Sequence, residues 1–202
     1  MLTAKIAVLV SGGGTNLQAL IDKQAAGELK SGNIALVIAD KPGIKAIDRA
    51  NTAGINCVTI PRKEDGFEEK VLSALAEHRI DMVILAGFLG ILSADFIARF
   101  AKPILNVHPA LIPSFCGKGL YGLRVHQAAL DYGVKVTGAT VHYVNEIPDG
   151  GKIILQKAVD ILPGDTPELL QRRVMEQAEW VLLPQAAELA AAQIVKEKEN
   201  TP

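Results

Sequence analysis

The chain has 202 residues, 49% hydrophobic and 21% charged, with 21 Lys plus Arg against 22 Asp plus Glu. This length accommodates one compact domain and not two of ordinary size, and the composition excludes general disorder. A net charge of −1 provides no broad positive field for a polyanion, so the expected ligand is a small molecule and not nucleic acid.

Short β-branched apolar runs alternate with segments of helical period. The runs are KIAVLV (5–10), NIALVIA (33–39), NCVTI (56–60), DMVILA (81–86) and KPILNV (102–107), and the helical segments between them are 16–29, 43–53, 66–79 and 93–100. Strands apolar on both faces and separated by helices predict an α/β fold, a doubly wound, mostly parallel sheet with helices on both faces. Such a sheet puts its ligand at the carboxyl ends of its strands, which here read SGGGTN, AD, PRK, GFLG and NVHP. After residue 108 the rhythm changes. A Pro- and Gly-rich loop (109–122) precedes a helix at 123–132, and two strand-like runs at 135–144 and 152–161 flank Asp149-Gly150-Gly151, predicting a C-terminal antiparallel hairpin that closes the sheet. Thr166 as N-cap with Pro167 at the first helical position starts a long helix expected to break near Pro184 and to fray over about 194–202. The chain reads as a single domain, 1–202, with a phosphate-binding half at 1–108 and a closing half at 109–202.

Cys57 and Cys116 are too few for a disulfide scaffold and have no C-x-x-C spacing, which suits a reducing cytoplasm. Residues 6–11 give six apolar or small residues before the glycine loop, fewer than the ~7–15 of a signal-peptide core. No stretch approaches the ~18 apolar residues of a membrane span.

SGGGTN (11–16) follows a strand and opens a helix, so its N–H groups and the positive helix end form either an anion site or simply a tight turn. Leu17 stands where the dinucleotide fingerprint needs Gly, and no Gly-Lys-Ser/Thr follows, so a monophosphate fits better than NAD or ATP. In NVHP (106–109), Asn106 and His108 share one side of a strand, an amide donor beside an imidazole that can steady an oxyanion and move a proton. Asp149 reads either as a turn residue or as a carboxylate that favours the protonated imidazole and orients a water. Thr140 and His142 share a face and are supporting candidates, while His126 reads as structural and His78 as an exposed helix residue. The histidines and Cys116 lack zinc-ligand spacing, so no metal is expected; no Gly-x-Ser-x-Gly elbow is present, and Cys116 reads as an inert loop thiol.

SGGGTNLQAL (11–20), GFLGIL (87–92), ILNVHPALIPSF (104–115), VTGATVHYV (136–144) and IPDGGKIILQ (147–156) together resemble the glycinamide ribonucleotide formyltransferases of purine biosynthesis, in order from Lys5 to about Pro184. The resemblance implies the formyltransferase fold with a Rossmann-like N-terminal half. It also implies metal-free transfer of formyl from 10-formyltetrahydrofolate to the amine of 5-phosphoribosylglycinamide. Asn106 and protonated His108 are then implied to steady the tetrahedral oxyanion and Asp149 to support His108 and proton transfer. The same resemblance puts the phosphate on Gly14, Thr15 and Asn16, gives Glu179 a contact to the glycinamide substrate, and lays the pterin against Leu89, Gly90, Ile91 and Leu92 and against Asn145, Glu146, Ile147, Pro148 and Asp149. Gly90 stands where many relatives have Arg and Cys116 where Pro is usual, and Arg62 or Lys63 can substitute for a basic folate-side residue. Related domains formylate methionyl-tRNA or sugar nucleotides, or hydrolyse formyl folate. The tRNA enzyme and the hydrolase are expected to carry a further domain. A non-catalytic nucleotide-binding module is the alternative from another class. The implied partners are the two small molecules alone, for a monomer or homodimer in the cytoplasm.

Overall fold

A computed structural model describes residues 2–200. Its sheet has seven strands in the order β3-β2-β1-β4-β5-β6-β7: β1 (Ala4–Val10), β2 (Gly32–Ala39), β3 (Cys57–Thr59), β4 (Met82–Leu85), β5 (Ile104–His108), β6 (Val136–Tyr143) and β7 (Ile153–Asp160). The first five run parallel, and β6 and β7 join antiparallel at the β5 side. The expected doubly wound sheet with its closing hairpin is therefore present.

The apolar runs are buried on both faces because side chains alternate along the pleat. In β1, Ile6, Val8 and Val10 face a layer formed by α1 (Thr15–Ala25), α2 (Lys45–Thr52), α6 (Pro167–Val174) and α7 (Trp180–Glu199), through residues such as Leu17, Ala46, Leu170 and Leu183. Ala7 and Leu9 face the opposite layer, α3 (Phe67–Glu77) and α4 (Ala94–Phe100), through Val71, Leu75 and Phe96. The remaining helix, α5 (Leu123–Tyr132), follows the 109–122 loop as expected. Strand order reverses beside β1, with β2 on one side and β4 on the other, so the carboxyl ends of β1, β4 and β5 open on one crevice.

Three boundaries differ from the sequence reading. Helix α1 ends at Ala25 and not near residue 29, because Gly27 at φ +71° terminates it. Thr166 does cap α6 by accepting from the Leu169 N–H, with Pro167 in the first turn, but the irregularity is not at Pro184. It is a π turn over Met175–Glu179, ending five residues before Pro184, and α7 runs unbroken through Pro184. Nor does the chain fray from 194: Ile194 is buried, Lys198 pairs with Asp81 at 2.6 Å, and α7 reaches Glu199. Residues 201–202 of that expected tail lie outside the described residues. No helix among the described residues is long and apolar enough to cross a membrane.

Candidate active site

The glycine loop after β1 is shaped by where its carbonyls go. Gly12 O accepts from the Ala46 N–H at 3.2 Å, Gly13 O from Arg49 Nε at 2.9 Å, and Gly14 O from the Gln18 N–H at 2.9 Å. A trans peptide points its N–H opposite to its carbonyl. The N–H groups of Gly13, Gly14 and Thr15 therefore turn away from these partners, and among the described residues none accepts from them. Helix α1 has no side-chain cap, so the loop and the helix end together form a concave set of unpaired donors with positive potential. Gly14 is required there: its φ is +70°, and a Cβ would lie 2.8 Å from Ala46 Cβ.

Beside the loop is a cleft of about 390 Å³. Thr15, Asn16, Leu85, residues 87–92, Asn106, His108, 117–122, His142, 144–149, Gln171, Met175 and Glu179 line it, so residues from α1, β4, β5, β6, α6 and the π turn that follows it converge on one space. Gly14 and Thr140 are not on its wall. Gly14 contributes backbone behind Thr15, and Thr140, fully buried, fastens the 109–112 segment by donating to Ala110 O at 2.7 Å and accepting from the Ile112 N–H at 3.1 Å.

Antiparallel pairing puts His142 directly opposite Asn106. His142 Nδ1 lies 2.8 Å from Tyr143 O, an acceptor only, so Nδ1 carries the proton and Nε2 is free to accept from Asn106 Nδ2 at 3.2 Å. That bond uses one amide hydrogen of Asn106 and leaves the second for the cleft. His108 Nε2 lies 2.8 Å from Phe115 O and so donates to it, which leaves Nδ1 facing Asp149 Oδ2 at 3.7 Å. That distance is an ion-pair separation and not a hydrogen bond, so a proton on Nδ1 is balanced by the carboxylate while its N–H stays available to the cleft. Asp149, held at φ +56° in the β6–β7 loop, lies between the two rings, 3.6 Å from His142 Nε2, and accepts from the Gly117 N–H at 2.8 Å. Burial pushes the Asp149 carboxyl up, but its polar surroundings, the Gly117 N–H and the charge of His108 among them, outweigh it and hold the carboxyl below its ordinary value. Asp149 also occupies the turn that the sequence allowed, closed by Gly150 N–H donating to Ile147 O at 2.9 Å, so the two readings of this residue coexist.

Glu179 ends the π turn, whose extra residue per turn re-aims a side chain from the helical path. Burial pushes its carboxyl up to about 7, against a hydrogen bond from Asn16 Nδ2 at 2.7 Å. Asn16 Oδ1 beside it is buried without a partner, so the pair offers acceptors to a ligand rich in donors.

The 89–92 loop is fixed by a network that the sequence reading missed. Leu89 N–H donates to Ser11 Oγ at 2.9 Å, Ser11 Oγ donates to Asp40 Oδ2 at 2.7 Å, and Arg62 Nε lies 3.5 Å from the same oxygen. Arg62 packs against Gly90: a Cβ there would be 3.0 Å from Arg62 Cδ. The 145–149 loop is shaped by Asn145, whose Oδ1 accepts from the Ile147 N–H at 3.1 Å. His126 is fully buried on α5, with neither ring nitrogen partnered; burial, then the charge of His108, pushes it down to about 4 and keeps it neutral. The Cys116 thiol is pushed up by burial and by Asp149 and donates to Pro113 O at 3.3 Å, in keeping with an inert thiol. Arg49, behind the glycine loop, had no signal in the sequence beyond its helical position.

The chain matches the formyl transferase family over residues 4–186. It is 42% identical over 201 residues to a trifunctional purine biosynthetic protein adenosine-3 from Bos taurus, covering 98% of this chain and 19% of that protein. It is 38% identical over 178 residues to a chloroplastic phosphoribosylglycinamide formyltransferase from Arabidopsis thaliana, covering 86% of this chain and 61% of that protein. The chain thus spans less than two thirds of the length of either relative. The crystal structure of glycinamide ribonucleotide transformylase 1 from Symbiobacterium toebii superposes with a TM-score of 0.87 at 37% identity, covering 95% of this chain and 89% of that one.

Proposed function

The chain belongs to the formyl transferase family, and from that membership together with the cleft we propose that it transfers a formyl group from 10-formyltetrahydrofolate to the primary amine of 5-phosphoribosylglycinamide. The observation that carries the reading is the meeting, in one cleft, of an unpaired set of backbone donors and the Asn106, His108 and Asp149 constellation.

Under this reading the acceptor's phosphate sits on the 14–16 segment, where N–H groups and a helix end replace surface cations. Asn16 and Glu179 take up donors of the glycinamide ribonucleotide. The flat donor lies between the 89–92 and 145–149 backbones, whose Leu89, Ile91 and Ile147 present apolar surface at 49%, 70% and 59% exposure. The amine nitrogen attacks the formyl carbon, and the formyl oxygen becomes an oxyanion that takes the free Asn106 amide hydrogen and a proton-bearing His108. Asp149 sustains the charged His108, and a water on Asp149 relays the proton released by the amine to the departing folate nitrogen as the old carbon–nitrogen bond breaks. This is acyl transfer by proximity and preorganised charge. The partners are these two small molecules, without a metal, in the cytoplasm.

Tetrahydrofolate release with glycinamide ribonucleotide as acceptor tests the proposal. Turnover that depends on the ribonucleotide is expected. Release that is equal without an acceptor, or that requires a different amine, contradicts it.

A further inference from the structure

The Gly12 and Gly13 Cβ positions face open space, so no packing restrains these peptides from their own side. What holds Gly13 is Arg49 on α2. Its Nε donates to Gly13 O at 2.9 Å, and its guanidinium also donates to Gln18 Oε1 at 2.8 Å in the first turns of α1. A planar fork spanning two acceptors fixes both in one geometry. Because the Gly13 carbonyl and the Gly14 N–H belong to one trans peptide, Arg49 sets the direction of that N–H. Its charge also lies behind the loop, on the side away from the cleft, adding to the positive end of α1.

We infer that Arg49 is the positioning residue that makes the glycine loop selective for a phosphorylated acceptor, acting through the Gly13 carbonyl. The inference rests on the acceptor proposed above. Its prediction is specific: loss of Arg49 penalises the phosphate and not the rest of the acceptor.

The test compares wild type with Arg49→Met, Arg49→Lys and Gln18→Met, and with Lys45→Met, an exposed cation of the same helix, as a control for loss of charge alone. Ribose 5-phosphate is titrated calorimetrically, and steady-state transfer is measured with glycinamide ribonucleotide and with its dephosphorylated riboside. Arg49→Met is expected to weaken ribose 5-phosphate about tenfold and to raise the ribonucleotide KM by a similar factor. The riboside and donor KM should shift by less than about twofold. Arg49→Lys, with a single-point donor, recovers part of the loss, Gln18→Met moves the same way by a smaller factor, and Lys45→Met matches wild type. Equal losses for both acceptors, or ribose 5-phosphate binding unchanged in both Arg49→Met and Gln18→Met, overturn the inference. A wild type that neither binds ribose 5-phosphate nor turns over the ribonucleotide contradicts the proposed function instead.

Discussion

His142 stands directly across the β5–β6 ladder from Asn106, and its Nε2 accepts a hydrogen bond from the Asn106 amide at 3.2 Å. The pairing orients the amide. Because the other ring nitrogen is committed to Tyr143 O, His142 presents an acceptor and Asn106 must present its nitrogen. Replacing His142 with Leu removes that constraint and lets the amide turn its oxygen toward the cleft. A fall in kcat of about tenfold is expected, smaller than the roughly 10²-fold for Asn106→Ala, which removes a donor outright. Stopped turnover assays on both variants check the order of the two effects.

Asp149 is held below its ordinary carboxylate value, so its contribution to stability has a definite sign. A depressed carboxyl stabilises the fold above its unfolded pKa of about 3.9, and the contribution is lost as pH falls through the folded value. Denaturant unfolding between pH 7 and pH 2 should show wild type and Asp149→Asn converging at the acid end. A constant gap would contradict the assignment.

Glu179 has the opposite sign. Its carboxyl is raised to about 7 by burial, so stability tied to the neutral form is present below the unfolded pKa of about 4.3 and lost as pH rises through about 7. Each pKa unit is worth about 1.4 kcal/mol. Glu179→Gln should therefore melt higher relative to wild type at pH 8.5 than at pH 5, while weakening the acceptor through the lost acceptor oxygen. Thermal unfolding at the two pH values measures the crossover.

Gly14 combines φ +70° with a Cβ position 2.8 Å from Ala46 Cβ. Gly14→Ala is expected to cost about 1–3 kcal/mol and to raise the acceptor KM, because α2 must retreat from the loop whose carbonyls it holds. Gly43, also at positive φ but with open space around it, is the comparison: Gly43→Ala carries the strain without the clash.

The parallel strands were legible because their runs are too short and too β-branched for buried helices, and period 2 alone put Asn106 beside His108. Asp149 was ambiguous in the sequence, since Asp-Gly-Gly reads equally as a turn; only tertiary structure brings its carboxylate between two rings. The π turn was hidden because residues 167–199 are helix-forming throughout and Pro184 drew attention to the wrong place. Pro184 is tolerated in the early part of α7, while the widened turn that aims Glu179 has no residue signature. Arg49 and the chain from Ser11 through Asp40 to Leu89 were unreadable for a different reason: which helix or strand end packs behind a loop is decided by the folded sheet order.

Under the proposed function, a charged His108 sustained by Asp149 carries formyl transfer. The most direct measurement is tetrahydrofolate release by His108→Ala, with circular dichroism matched to wild type. A fall in kcat of about 10²–10⁴-fold is expected, and turnover within a few-fold of wild type would contradict the account.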